Sequence, residues 1–267
     1  MVRARTQQFL VRRVTASGSV RQPDFVIVEE PLEMRLDGTT INTTMRTPGH
    51  DYELTAGFCF TEGLLAGAPI TEIRYCATGS AVDTEFNVVT VSTGGAAPTA
   101  TPRLGTATSS CGICGTASLD LLTQRLDPLG PFAQWDLPAL LNAPSRILAT
   151  QGLFEATGGV HAAAIIDRDG TPSILREDVG RHNAVDKVVG RMLLDDQLPA
   201  TDLALFVSGR ASFEIVQKAW AAGFTALVAV SAPTQLAVLT ARAAGMTLIG
   251  FVRGEGPNVR ANHYSPV

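Results

Sequence analysis

The sequence predicts an α/β protein, with a smaller α+β domain in its first half and a mixed, largely parallel sheet in its second. Three observations carry that expectation. After Pro199, apolar stretches of strand length (203–207, 225–230 and 246–252) alternate with helix-length segments ending at Gly223 and Gly245. Strands joined by single helices lie parallel with right-handed crossovers. Residues 26–46 instead alternate apolar and polar side chains about Asp37-Gly38, the pattern of an antiparallel hairpin. Between the two regimes Pro128, Gly130 and Pro131 break the pattern. The chain divides accordingly into a basic flexible arm (1–25), an N-terminal α+β domain (26–130) ending in a cysteine loop, and a C-terminal domain (131–267).

Each element has its own signal. Pro48 suits the first turn of a helix, and Asp51 and Glu53 suit its positive end; that helix runs through Leu54, Phe58 and Leu65, with Gly57 marking close packing. Residues 73–77 and 85–92 form a second β pair, and 119–126 a short helix. In the second half, 137–150 is helical, and 160–166 and 173–175 are strands about Asp169-Gly170. Ala184, Val185, Val188, Val189, Met192 and Leu193 lie on one face of a helix, so Arg181, His182 and Asn183 open its first turn.

The 267 residues are 45% hydrophobic and 17% charged, the profile of a globular chain rather than a disordered one. A net charge of −4 argues against a nucleic-acid partner. Arg3, Arg5, Arg12, Arg13 and Arg21 make the first residues basic, and a solvated arm is the expected form. No apolar run approaches the length of a membrane span, and no apolar stretch of a signal peptide follows the basic start. The expected location is the cytoplasm, where thiols stay reduced.

Cys111-Gly112-Ile113-Cys114-Gly115 follows a stretch rich in Gly, Ala, Thr and Pro that predicts a loop. A Cys-x-x-Cys spacing lets two sulfurs share a metal, a disulfide or a transferable sulfur, and it lowers the thiol pKa. A zinc knuckle needs two further ligands; Cys59 and Cys76 are isolated, and His50, His161, His182 and His263 show no ligand pairing. Two small buried residues are the bland alternative, and a reactive thiol pair is favoured over both.

The parallel topology brings Ser208, Arg210, Ser231, Thr234 and Arg253 to one sheet edge beside two helix N-termini, where open α/β sheets bind ligands. Backbone N–H groups and two guanidinium forks suit phosphate or another anion. Helix capping by Ser208 and Ser231 explains the serines but not the arginines. A surface helix start is the blander reading of His182 and Asn183.

Seven motifs, in order, resemble the formate dehydrogenase accessory sulfurtransferase (FdhD) family: Glu30-Pro31-Leu32-Glu33, Thr47-Pro48-Gly49, Cys111-Gly112-Ile113-Cys114-Gly115, Thr157-Gly158-Gly159-Val160-His161-Ala162-Ala163-Ala164, residues 177–183, Ser208-Gly209-Arg210 and Gly250-Phe251-Val252-Arg253. The resemblance runs from about residue 26 to the end of the chain. It implies a sulfur carrier that takes sulfur from a cysteine desulfurase and passes it to a molybdenum cofactor, bis(molybdopterin guanine dinucleotide), destined for formate dehydrogenase. Cys111 matches the persulfide-bearing cysteine, with Cys114 in support. Phe251, Val252, Arg253, Gly254, Glu255 and Gly256 match the family's cofactor-contacting stretch, and Ser208, Arg210 and His182 are expected to join them. The resemblance also implies a homodimer and a cytidine-deaminase-like, three-layer αβα C-terminal domain.

Zinc deaminases carry His-x-Glu at one helix start and Pro-Cys-x-x-Cys at the next. By order of elements this chain has His182-Asn183-Ala184 and Ser208-Gly209-Arg210-Ala211-Ser212 there, without the acid–base glutamate or the thiolates. No zinc is therefore expected, and the former base pocket is available for guanine. The rival readings are a cofactor-binding chaperone whose cysteines only aid docking, and a nucleotide deaminase, which the missing glutamate disfavours.

Overall fold

The computed structural model describes residues 3–76, 80–99, 125–254 and 256–266. Cys111, Cys114, Glu255 and most of the helix expected at 119–126 lie outside the described residues.

The first described elements correct the expectation of a flexible arm. β1 (Thr6–Thr15) and β2 (Gly18–Ile27) form an antiparallel two-stranded ribbon from Thr6↔Ile27 to Thr15↔Gly18. Its residues are mostly exposed, as the arginines suggested, but Val11, Val14, Val20 and Phe25 are strong strand formers and Gly18 supplies the turn, so the arm forms paired strands. The ribbon is tethered at its base, where Val28 N–H donates to the Arg5 carbonyl and Arg3 pairs with Glu30.

β3 (Glu30–Leu36) and β4 (Thr39–Arg46) make the expected hairpin, and β5 (Glu72–Tyr75) pairs with β6 (Val88–Ser92). Parallel pairing of β3 with β6 merges them into one sheet of order β4-β3-β6-β5. α1 (Asp51–Thr61) covers it, packing Leu54 and Phe58 onto Leu32, Met34, Val89 and Val91. α1 begins later than Pro48 predicts. Gly49 (φ 102) and His50 (φ 58) are left-handed, and Thr47 is tied to Asp178 and Val179, so helical geometry starts only at Asp51.

The C-terminal half contains α2 (Leu137–Leu148), α3 (Gly152–Thr157), β7 (His161–Ile166), β8 (Pro172–Asp178), α4 (Arg181–Leu194), β9 (Ala204–Val207), α5 (Phe213–Ala221), β10 (Ala226–Ala229), α6 (Gln235–Ala244), β11 (Thr247–Arg253) and β12 (Arg260–Ser265). The sheet order is β12-β11-β10-β9-β7-β8. β9, β10 and β11 are parallel as expected, while β7, β8 and β12 run antiparallel to their neighbours. β12 went unread because Arg260, Asn262 and His263 give it no apolar alternation. Side chains of alternate strand residues face opposite layers. Ile165, Leu205, Leu227 and Leu248 pack under α4, α5 and α6, whereas Ile166, Phe206, Val228 and Ile249 meet Leu140, Ala143 and Ile147 of α2 and Trp135.

The two halves meet where α1 crosses α4. A Cβ on Gly57 would lie 1.9 Å from the Asp186 carbonyl oxygen, and one on Gly190 would lie 1.8 Å from that of Glu53. Only glycine permits that approach. Around the crossing, buried charges meet counter-charges. Arg46 grips Asp51 through two bonds of 3.0 and 2.9 Å, Arg176 grips Glu53, and Lys218 bridges Asp186, Glu62 and Thr61. Lys187 reaches Asp178 at 2.6 Å and the Thr47 carbonyl at 3.0 Å. The Thr47 amide donates to Asp178, and the Val179 amide to the Thr47 hydroxyl. The Thr47-Pro48-Gly49 motif and the motif at 177–183 are thus two sides of one joint, and that joint fixes where α4 begins.

Candidate functional site at the C-terminal edge of the large sheet

β9, β10 and β11 end on one edge, in Ser208-Gly209-Arg210, Ser231 and Arg253. β7 runs the other way, so its first residue, His161, stands on the same edge opposite Asp178 at the end of β8. α4 then opens there with Arg181 and His182. The edge expected from the sequence is therefore assembled, but its members play different parts from those expected.

Neither Ser208 nor Ser231 caps a helix. The Ser208 hydroxyl accepts from the Ala162 amide at 2.9 Å and locks β9 to β7. α5 starts only after Ser212, because Ala211 is still held in a parallel bridge to Pro233. Thr234 is the cap of α6, accepting from the Ala237 amide at 3.2 Å. Arg253 folds back to donate to the Val230 and Val252 carbonyls, so it holds β11 to β10 as well as facing the edge. Arg210 is exposed and has no partner among the described residues.

In the stretch from Phe251, the Phe251 ring is 40% exposed on a left-handed residue (φ 56), while Val252 is buried in the core. The Val252 side chain therefore serves packing. Gly254 (φ 88) and Gly256 (φ 53) carry the turn that follows; a Cβ on Gly254 would lie 2.4 Å from the Asn258 carbonyl oxygen.

His182 has the most definite chemistry. Its Nε2 is 2.8 Å from Glu214 Oε2 and 3.5 Å from the Ser212 hydroxyl. That hydrogen bond, with Arg181 and Lys218 nearby, holds the Glu214 carboxyl below the usual carboxylate range despite partial burial. Burial, and then the neighbouring Arg181 and His182, pull His161 below the ordinary imidazole value, so it is neutral at pH 7. A Cβ on Gly209 would lie 3.4 Å from His161 Nδ1, so backbone and imidazole are in close contact there. The Arg181 Nε–H is buried without an acceptor among the described residues.

Sequence reasoning placed Arg181 only as a helix start and did not single out His161 or Glu214 as site residues. The signal for Glu214 was a carboxylate in the first turn after Ser208-Gly209-Arg210, which reads equally as a dipole partner. Of the cysteines among the described residues, Cys59 is fully buried, and burial, reinforced by Asp186 and Asp37, pushes its thiol up to about 12. It is inert as a nucleophile at neutral pH.

The chain is similar to known proteins along nearly its whole length. It is 48% identical to the sulfur carrier protein FdhD of Streptomyces coelicolor, covering 96% of this chain and 94% of that one. It is 45% identical to the namesake from Nocardia farcinica (93% and 90% covered) and 43% identical to that of Mycobacterium tuberculosis (93% and 94%). A solved structure described as a formate dehydrogenase accessory protein of Desulfotalea psychrophila shares the fold, with a TM-score of 0.74 at 23% identity over 98% of this chain and 97% of that one. The model of the FdhD/NarQ family matches residues 27–265. With the sheet edge and the joint both built from motifs inside that span, the chain belongs to the FdhD/NarQ family.

Proposed function

We propose that the protein is a sulfur carrier that accepts sulfur on Cys111 and delivers it to a molybdenum cofactor bound at the sheet edge, in support of formate dehydrogenase. The observation that carries the reading is the extent of similarity to relatives named sulfur carrier protein, 43–48% identical over nine-tenths or more of this chain, in a chain with the Cys111-x-x-Cys114 pair.

The Cys111 thiolate attacks the outer sulfur of a persulfide on a cysteine desulfurase. The donor's S–S bond breaks, the donor leaves as thiolate, and Cys111 carries the persulfide. Release of that sulfur as sulfide needs two electrons, which closure of a Cys111–Cys114 disulfide supplies. The substrate is bis(molybdopterin guanine dinucleotide) molybdenum, whose diphosphates suit Arg210 and the unpartnered Nε–H of Arg181. The parallel β9–β10–β11 sheet between helices on both faces suits a deaminase-like ancestry, with His182 and residues 208–212 at the former zinc positions. A homodimer working in the cytoplasm completes the reading.

The test is intact-protein mass spectrometry after incubation with a cysteine desulfurase and cysteine. A reducible gain of one sulfur mass, retained in Cys114→Ala and absent from Cys111→Ala, is expected. No gain in wild type with intact thiols would overturn it in favour of a chaperone that binds cofactor without carrying sulfur.

A further inference from the structure

Beyond its root, the β1–β2 ribbon takes no part in the joint or the sheet edge. Its strands of 10 residues make it about 34 Å long, and apart from each other their main neighbour is α3, met by β2. A two-stranded ribbon alone in water is marginally stable. Of fourteen large apolar side chains exposed among the described residues, Phe9, Leu10, Val14, Val20, Phe25 and Val26 lie on this ribbon. Such a concentration marks an interaction surface.

Directly paired residues share a face. One face therefore carries, from root to turn, Thr6 with Ile27, Gln8 with Phe25, Leu10 with Pro23, Arg12 with Arg21 and Val14 with Ser19. Leu10 is 70% exposed and Val14 73%. They bracket two arginines that stand opposite each other with no partner among the described residues. Like charges so placed destabilise a ribbon, and an acidic partner reverses that effect. The opposite face holds one arginine, Arg13, and one acid, Asp24, and so has no net charge.

The surroundings select the occupant. The ribbon ends at Ile27, where the match to the family model begins, so a dimer common to the family would not be built on it. Two copies of the face laid together would also set arginine against arginine. The turn, Thr15-Ala16-Ser17-Gly18, has no large apolar side chain to enter a lipid surface. The root lies beside the sheet edge: Ile27 Cγ2 is 3.2 Å from where a Cβ on Gly159 would lie, two residues before His161. We infer that the Arg12/Arg21 face of the ribbon docks an acidic, partly apolar patch of the acceptor formate dehydrogenase and holds it next to the edge from which cofactor is handed over. The inference deepens the proposed function and rests on it.

Binding of purified formate dehydrogenase lacking its cofactor to the full-length protein tests it, with sulfur loading of each variant followed by mass spectrometry. Arg12→Glu puts an acid opposite Arg21 and so supports the ribbon. It should nevertheless weaken dehydrogenase binding by at least about 10-fold, because it faces an acidic patch with an acid. Leu10→Ser should weaken binding about 5- to 30-fold, Arg12→Lys should retain it, and wild-type affinity should fall as salt rises. All three variants should gain sulfur as wild type does. Unchanged dehydrogenase binding in Arg12→Glu and Leu10→Ser, or no binding by wild type, would overturn the inference and leave the carrier reading intact; failure of wild type to gain sulfur would overturn both. Dissociation of a dimer by Arg12→Glu in light scattering would assign the face to a second copy. Co-sedimentation of wild type, but not Leu10→Ser, with phosphatidylglycerol vesicles would assign it to a membrane, and either result overturns the inference.

Discussion

The joint between the two halves and the edge of the large sheet share one stretch of chain, residues 177–183, yet treat charge in opposite ways. At the joint Lys187, Asp178, Arg46 and Asp51 are fully buried and each has its counter-charge. The Asp178 carboxylate alone accepts from Lys187 and from the Thr47, Gly180 and Asn183 nitrogens. At the edge, four residues on from Asp178, the His182–Glu214 pair is partly open to solvent, and among the described residues Arg210 has no partner and Arg181 has a buried donor without an acceptor. Buried polar groups are normally satisfied. A satisfied network specifies structure, whereas an unsatisfied one beside it is where the proposed ligand would complete the bonding. On that proposal the joint is the frame and the edge is the receptor.

The comparison breaks most readily at the joint. Lys187→Met leaves Asp178 buried without a counter-charge, and urea unfolding should show a loss of about 3–5 kcal/mol. Adding Asp178→Leu to it removes the stranded charge and should recover part of that loss. An exposed pair such as His182–Glu214 contributes at most about 1 kcal/mol, so a small effect at Lys187 would erase the distinction between frame and receptor.

A smaller effect comes from pH. Burial works against the Glu53 carboxylate, but the two-bond Arg176 fork and then His50 hold it down, from an ordinary 4.5 to about 2. A folded pKa below the unfolded one gives stability that is complete above the unfolded value and is lost as pH falls through the folded one. Thermal melts should therefore decline between about pH 5 and 2, and Glu53→Gln should flatten that decline. An identical pH profile in the variant would remove Glu53 from the joint's energetics.

Much of this was legible in the residues. The Asp37-Gly38 hairpin, the α4 stripe and the β9–α5–β10–α6–β11 rhythm declare themselves because short-range periodicity and turn chemistry agree with the final fold. Gly57 was legible as a close approach, although its partner, Gly190, was not. The ribbon was not legible, since Arg12, Arg13 and Arg21 read as solvation while strand pairing was decided by their neighbours. β12 was hidden because its pairing comes from β11 rather than from its own pattern. At the site, the arginines advertised anion binding, but which fork was open and which folded back depended on tertiary contacts: Arg253 turned to the Val230 carbonyl and Arg210 did not. The cysteine pair was the plainest functional signal in the chain, and its reading rests on sequence and on relatives.

The most direct test of the carrier account follows the atom. The protein is loaded with radiolabelled sulfur on Cys111, purified from the desulfurase, and mixed with molybdenum cofactor and formate dehydrogenase lacking it. The account predicts that label leaves the chain, appears on the cofactor within the dehydrogenase, and rises in step with formate oxidation, with none of this from Cys111→Ala. Restored formate oxidation with the label still on Cys111, or equal restoration by Cys111→Ala, would contradict it.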